Sequence, residues 1–460
     1  MFYLYRPFLL GEYDKDKISR LIGGSVGWDR GRWWYKLAHV CQRWRNVVLG
    51  SAAYLDVSLV CTKGTPVGDM LAHSPPLPLV VEYKFDEDED ITEEDKKAAI
   101  LALKQYDRVR RVRLYMPPTS LQKFITTMDD EYPILEHLII WHSGEDKTTT
   151  LTFPKTLEAP HLRHLTLMSF ALPIGSPLLT NAVGLVTLCL GIINPSTYFH
   201  PNTLLQWLSS MPQLEIAVIS FDFPVCSSHV GGQFMHTAIA APVTLPNLRC
   251  FIFKGVTAYF EALLHRISAP RLETLRIDIF NQLTFSVPRL LHFVGTTENI
   301  RFKTAKFKFS DRNVNVEVYP HEDADMYALS FTFGCWQLDW QVSFAAQIFN
   351  VLSPVLSAVE HLNFEHEFHS QSSEEHNEVD PTEWRKLLRS FRNVKTLRIA
   401  EGLVEELTRC LQLDDGKLSS EMLPELQELS YSGSGNTGGA FTSFIDACQT
   451  AGRPITVIHS

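Results

Sequence analysis

One short pattern recurs along this chain and restricts its fold more than any other feature: P-x-L-x-x-L-x-L, with any aliphatic or aromatic residue allowed at the L positions. Clear copies run from Pro133 to Ile140, Pro160 to Leu167, Pro246 to Phe253, Pro270 to Ile277 and Pro424 to Leu429. Degenerate copies begin at Leu55, Leu79, Val109, Leu185, Leu214, Ile300, Val359 and Val394. From Leu55 to Leu272, successive copies start 23 to 34 residues apart. In L-x-L the outer residues point one way and the middle one the other, which is the two-residue period of a strand. Each strand must be returned to the start of the next. Segments 121–128, 203–211, 258–267, 288–294, 384–391 and 441–448 carry apolar residues at three-and-four spacing, which predicts returning helices.

A strand, a loop and a helix at a fixed step cannot bury their apolar faces alone and must stack on neighbouring copies. A mean step of about 27 residues falls in the range of leucine-rich repeats. The expected fold class is therefore α/β: a curved leucine-rich-repeat (β-α) solenoid over 58–460, with loop insertions near 313–327 and 366–381 where the period breaks. Leucines 135, 138, 162, 165, 248, 272 and 275 are expected inside. A doubly wound α/β sheet would also alternate strand and helix, but it would not repeat a proline two residues before each strand's first leucine.

Charge is uneven along the chain. Residues 1–56 hold 9 Lys and Arg against 5 Asp and Glu, leaving 33 against 47, or −14, for the rest. An acidic body argues against nucleic-acid binding, because phosphate contacts need clustered Lys and Arg. The basic head suits an acidic partner protein. The eight cysteines lie far apart with no CxxC, the usage of buried reduced thiols in a cytoplasmic or nuclear protein. Met1 to Leu10 is apolar but holds Arg6-Pro7 in its middle and does not read as a signal peptide. Residues 165–214 contain no Asp, Glu, Lys or Arg, yet Pro173, Pro177, Pro195 and Pro201 interrupt them, so buried strands are expected there and no membrane span. The acidic run 86–90 reads as a solvated loop before a helix whose N-cap is Thr92.

Residues 33–49 predict one amphipathic helix with Leu37, Val40, Cys41, Trp44, Val47 and Val48 on one face and Lys36, Arg43 and Arg45 on the other. The string Leu37-Ala-His-Val40-Cys41-Gln-Arg43-Trp44-Arg45, with Tyr54-Leu55 some ten residues on, resembles the second half of an F-box. An F-box before leucine-rich repeats looks like the F-box/leucine-rich-repeat proteins of basidiomycete fungi. Those proteins also tend to carry sequences like 33–37 and Met70-Leu-Ala-His-Ser-Pro-Pro76.

The resemblance makes residues 1–57 a short, partial F-box-like helical module. It implies a substrate-recognition subunit of an SCF-type cullin-RING ubiquitin ligase. Leu37, Val40, Cys41, Arg43, Trp44 and Arg45 would bind the Skp-type adaptor, and through it a cullin, while the repeats hold an unknown protein substrate. The opening Leu-Pro-x-Glu segment of an F-box is absent: Met1 to Tyr5 corresponds only to the last turn of its first helix, and Gly11 to Asp29 looks like an insertion. A leucine-rich-repeat interaction scaffold with a vestigial F-box and no ligase link is therefore the alternative.

Nothing in the sequence suggests catalysis, and no cofactor is implied. There is no Gly-x-Ser-x-Gly elbow, phosphate loop or dinucleotide fingerprint. His361, His366 and His369 have a metal-like spacing, but alternate strand residues face opposite sides, so no metal site is expected. The residues between the inward leucines should line the concave face: His137, Ile139, Arg163, His164, Thr166, Arg249, Ile252, Glu273, Thr274, Arg276, Lys395, Thr396 and Arg398. That set is basic for so acidic a body. Arg163, Arg249, Arg276 and Arg398 are accordingly the expected contacts to an acidic segment of a substrate.

Overall fold

A computed structural model describes residues 33–50, 57–85, 91–142, 151–173, 175–193, 197–222, 242–280, 287–297, 299–367, 379–412, 422–431 and 440–459. They fall in two compact units, 33–222 with 242–248, and 249–459. Each is mixed α/β and built on a large, mostly parallel sheet.

The repeated proline has a local cause. Leu135, Leu162, Leu214, Leu248, Leu272 and Leu426 each donate their N–H to the carbonyl three residues back, at 3.1 to 3.3 Å. Proline is the second residue of every one of these turns, where its fixed φ is already the one a β-turn needs. The next residues then hang on the previous repeat. The amides of Arg163 and His164 share the Glu136 carbonyl, those of Val186 and Thr187 the Arg163 carbonyl, and those of Lys395 and Thr396 the Glu360 carbonyl.

In the first unit the strands are β1 (Leu59–Cys61), β2 (Leu79–Lys84), β3 (Val109–Met116), β4 (His137–His142), β5 (His164–Met168), β6 (Thr187–Ile193) and β7 (Ile216–Phe221). They lie side by side in chain order, all parallel. Helices return the chain between them, among them α3 (Val67–His73), α4 (Glu93–Leu103), α5 (Pro118–Thr127), α6 (Pro177–Thr180) and α7 (Pro201–Ser209). Thr92 caps α4 as expected: its Oγ1 accepts from the Asp95 amide at 3.1 Å and donates to the Asp95 carboxylate at 2.8 Å. The acidic run at 86–90 lies outside the described residues. Leu135, Leu138, Leu162 and Leu165 are fully buried.

The second unit holds β8 (Cys250–Gly255), β9 (Thr274–Ile279), β10 (Thr304–Ser310), β11 (Asn313–Tyr319), β12 (Leu329–Gly334), β13 (His361–Glu367), β14 (Thr396–Ile399), β15 (Glu428–Tyr431) and β16 (Thr456–His459). The order is β8-β9-β12-β11-β10-β13-β14-β15-β16. Strand β11 runs antiparallel to both neighbours, and the other pairs are parallel. The expected loop insertion at 313–327 is thus a strand over 313–319 and a loop only over 320–327. Val314, Val316 and Val318 are fully buried while Asn315 and Glu317 face the other way, a strict two-residue alternation without the proline-leucine signature. Ser310 closes the turn, its Oγ donating to the Asn313 carbonyl at 2.9 Å.

The other expected insertion, 366–381, is trimmed at both ends. His366 and Glu367 belong to β13, Pro381 opens a helix, and 368–378 lie outside the described residues. Helices α8 (Thr257–Leu264), α9 (Pro288–Gly295), α11 (Pro381–Leu388) and α13 (Thr442–Thr450) overlap the expected ones, and α12 (Val404–Leu411) is a further return. The long α10 (Leu338–Leu356) is not picked out by three-and-four spacing, because Phe344, Ala345, Ala346, Ile348 and Phe349 are all buried and the apolar stripe spreads round the helix. Its Phe349 lies 5.2 Å from Phe307, 5.7 Å from Phe331 and 5.9 Å from Phe391 between ring centroids. No helix among the described residues is long and apolar enough to cross a membrane.

Candidate functional site

The helix expected over 33–49 is two helices, α1 (Trp33–Ala38) and α2 (Gln42–Gly50). The break falls on His39, Val40 and Cys41, all weak helix formers. A helix end leaves carbonyls without partners, and here two are satisfied locally. The Val40 amide donates to Leu37 at 3.2 Å and Arg45 Nε donates to Ala38 at 3.1 Å.

The expected apolar face divides with the break. Val48 and Ala38 turn inward at 1% and 7% exposure, and Leu37 is half-buried. Val40, Trp44 and Val47 are 62%, 48% and 53% exposed. Cys41, Arg43 and Arg45 are also exposed. Large apolar side chains grouped on a surface mark a contact site. Five of the six expected adaptor-facing residues are therefore exposed, and Arg45 also serves as a cap.

The second surface is the face of each sheet that carries the residues between the leucines. In the first unit a row of neighbours runs Arg111, His137, His164, Thr187 across β3 to β6. The His137 and His164 rings stack, 4.3 Å apart and 9° from parallel, and His164 Nδ1 is 3.1 Å from Thr187 Oγ1. Burial, then the neighbouring His164 and Arg111, lower His137 to about 3, while burial and Arg163 lower His164. Both rings are therefore neutral at pH 7. Four residues further along β3 and β4, Tyr115 and Trp141 meet edge to face at 5.5 Å. Arg110 takes Glu136 at 2.9 Å and Arg113 reaches Glu82 at 3.4 Å. Arg163 is exposed and makes no side-chain ion pair among the described residues.

Neither a family model nor a curated protein matches this sequence.

In the second unit the same face is charge-matched. Arg249 forms a bidentate pair with Glu273 at 3.0 Å. Arg276, only 5% exposed, donates through Nε to both Asp278 oxygens at 3.1 and 3.3 Å. Lys306 holds Glu365 at 2.6 Å, Lys395 holds Glu360 at 3.2 Å and Arg398 holds Glu322 at 3.2 Å. Glu317, 8% exposed, accepts from Asn315 at 2.9 Å and Tyr319 at 2.6 Å.

Of the expected substrate set of Arg163, Arg249, Arg276 and Arg398, Arg163 alone is exposed with no side-chain ion pair among the described residues. The other three are committed to carboxylates, Arg249 to Glu273, Arg398 to Glu322 and Arg276 to Asp278 on its own strand, and Arg276 is buried as well. Nor is the whole face open, since Thr166, Ile252 and Thr274 are 6%, 1% and 9% exposed.

His361 faces the side of Glu322, whereas His366 has the leucine-side parity and lies against Gly402, and His369 is outside the described residues. No group of three or more metal-binding side chains occurs among the described residues. Burial pushes the thiols of Cys61, Cys189, Cys250 and Cys410 up to about 12, which makes them poor nucleophiles.

Proposed function

We propose that this chain is the substrate-recognition subunit of an SCF-type cullin-RING ubiquitin ligase, an adaptor with no chemistry of its own, acting in the cytoplasm or nucleus. Its two units are read as leucine-rich repeats, and α1 and α2 as what remains of an F-box. The observation that carries the reading is the surface patch of Val40, Trp44 and Val47, exposed beside Arg43 and Arg45. It offers an apolar anchor and a basic rim to an acidic Skp-type adaptor. The turn-and-strand repeat supports the other half of the reading, since it presents a row of side chains on one sheet face for a target protein.

The full-length chain co-expressed with a Skp-type adaptor should co-purify with it. Trp44→Ala should weaken the complex about thirtyfold, the loss typical of an aromatic hot spot. Arg43→Glu should weaken it at low salt and much less at high salt. Absence of a complex would favour the alternative, a repeat scaffold with a vestigial F-box and no ligase link.

A further inference from the structure

Among the described residues, the open face of the first unit brings together an exposed cation without a carboxylate, a stack of two imidazoles and half-buried aromatic side chains. We propose that this face binds an acidic peptide segment around Arg163 and that the His137–His164 pair takes up one proton from solvent as it does so. The proposal rests on the reading above, in which the repeats hold a target, and adds the target's chemistry and a pH dependence.

The charges facing the pair set its behaviour. Arg110 and Arg111 on β3 and Arg163 just before β5 are positive; Glu136 before β4 and Glu215 before β7 are negative. Glu136 is already bound by Arg110 at 2.9 Å. Burial comes first in keeping the rings neutral, and the local excess of positive charge adds to it. An incoming carboxylate reverses that balance, so one ring can accept a proton and donate a charge-assisted hydrogen bond to the ligand. His164 is the acceptor of choice. It is the ring nearer both glutamates and is held by Thr187, whereas His137 lies beside three arginines. Only one proton is taken up, because two imidazolium rings 4.3 Å apart repel each other.

A peptide fits better than a nucleic acid. The body carries −14, which repels a long polyanion, and this face alternates its cations with Glu82 and Glu136. Tyr115 and Trp141 supply an apolar floor for a short segment.

The test is calorimetric titration of the full-length chain with a decaglutamate peptide. Affinity should rise about tenfold from pH 7.5 to 5.5. Repeating the titration at pH 6 in buffers of different ionisation enthalpy should show uptake of between half a proton and one proton per peptide bound. His137→Asn/His164→Asn should lose both the pH dependence and the proton uptake, binding no more tightly at pH 5.5 than at pH 7.5. Arg163→Gln should weaken binding several-fold at both pH values.

Binding without proton uptake overturns the histidine role. No binding at either pH, or preferred capture of oligouridine, overturns the acidic-segment assignment. Adaptor co-purification is measured on the same variants and should be unchanged, so failure here is separable from failure of the ligase reading.

Discussion

The two units present the same kind of sheet face with opposite electrostatic finish. In the second unit, strand alternation, strand register and neighbouring loops set a carboxylate beside each of Arg249, Arg276, Lys306, Lys395 and Arg398. In the first, Arg110 has already taken the Glu136 carboxylate next to Arg163, and the row beyond continues into neutral histidines. A count of basic residues cannot separate these cases. Charge that is matched across neighbouring strands holds a sheet face together, and charge left over is available to a ligand.

The sharpest way to break this comparison is to remove a carboxylate from the matched face. Asp278→Ala leaves the buried Arg276 guanidinium without its main partner and should cost about 3 to 5 kcal/mol in urea unfolding. Loss of less than about 1 kcal/mol would show that the pair is not structural.

A smaller effect follows from the histidine stack. His137 and His164 titrate lower in the fold than in the unfolded chain, so below about pH 6.5 the unfolded state binds protons that the native state refuses. Stability of the first unit should therefore be flat above that pH and fall as the pH drops towards 4. The fall is at most ~1.4 kcal/mol per pH unit for each fully shifted ring. Thermal unfolding of His137→Asn/His164→Asn should show a shallower fall across that window. An unchanged slope would move the cause elsewhere.

The smallest effect distinguishes exposed pairs from the free cation. Arg249→Gln breaks an exposed pair and should cost under about 1 kcal/mol. Arg163→Gln should be within about 0.5 kcal/mol of neutral, since no folded partner is lost. Matched denaturation curves for the two variants check both values.

Much of the fold is legible in the sequence because its signals are local. Proline marks a turn whose geometry it already holds, and the leucines that follow alternate inward, so Leu162, Leu165, Leu272 and Leu275 are readable as core. Strand β11 escapes a search keyed on proline and leucine although Val314, Val316 and Val318 alternate plainly. The break between α1 and α2 escapes because amphipathic spacing continues across it; weak propensity at three successive residues is the only trace. The pairing of Arg398 with Glu322 depends on a loop brought alongside, which spacing does not encode, whereas Arg276 and Asp278 share a face by the two-residue strand period. The histidine stack depends on the register of β4 against β5, which aligned repeats do imply: His137 and His164 occupy the same repeat position and could have been paired from it.

Strand β11 also bears on how the chain finds its structure. Its pairing with β10 spans a turn of only two residues, Asp311 and Arg312, whereas each parallel pair must first close a loop through a turn or helix. Loop closure before any reward slows folding, and local hairpins form in microseconds. The second unit therefore contains a place to start that the all-parallel first sheet lacks. Refolding of the second unit should lead, with Phe307 on the hairpin and Phe331 on the adjoining β12 gathered ahead of α10.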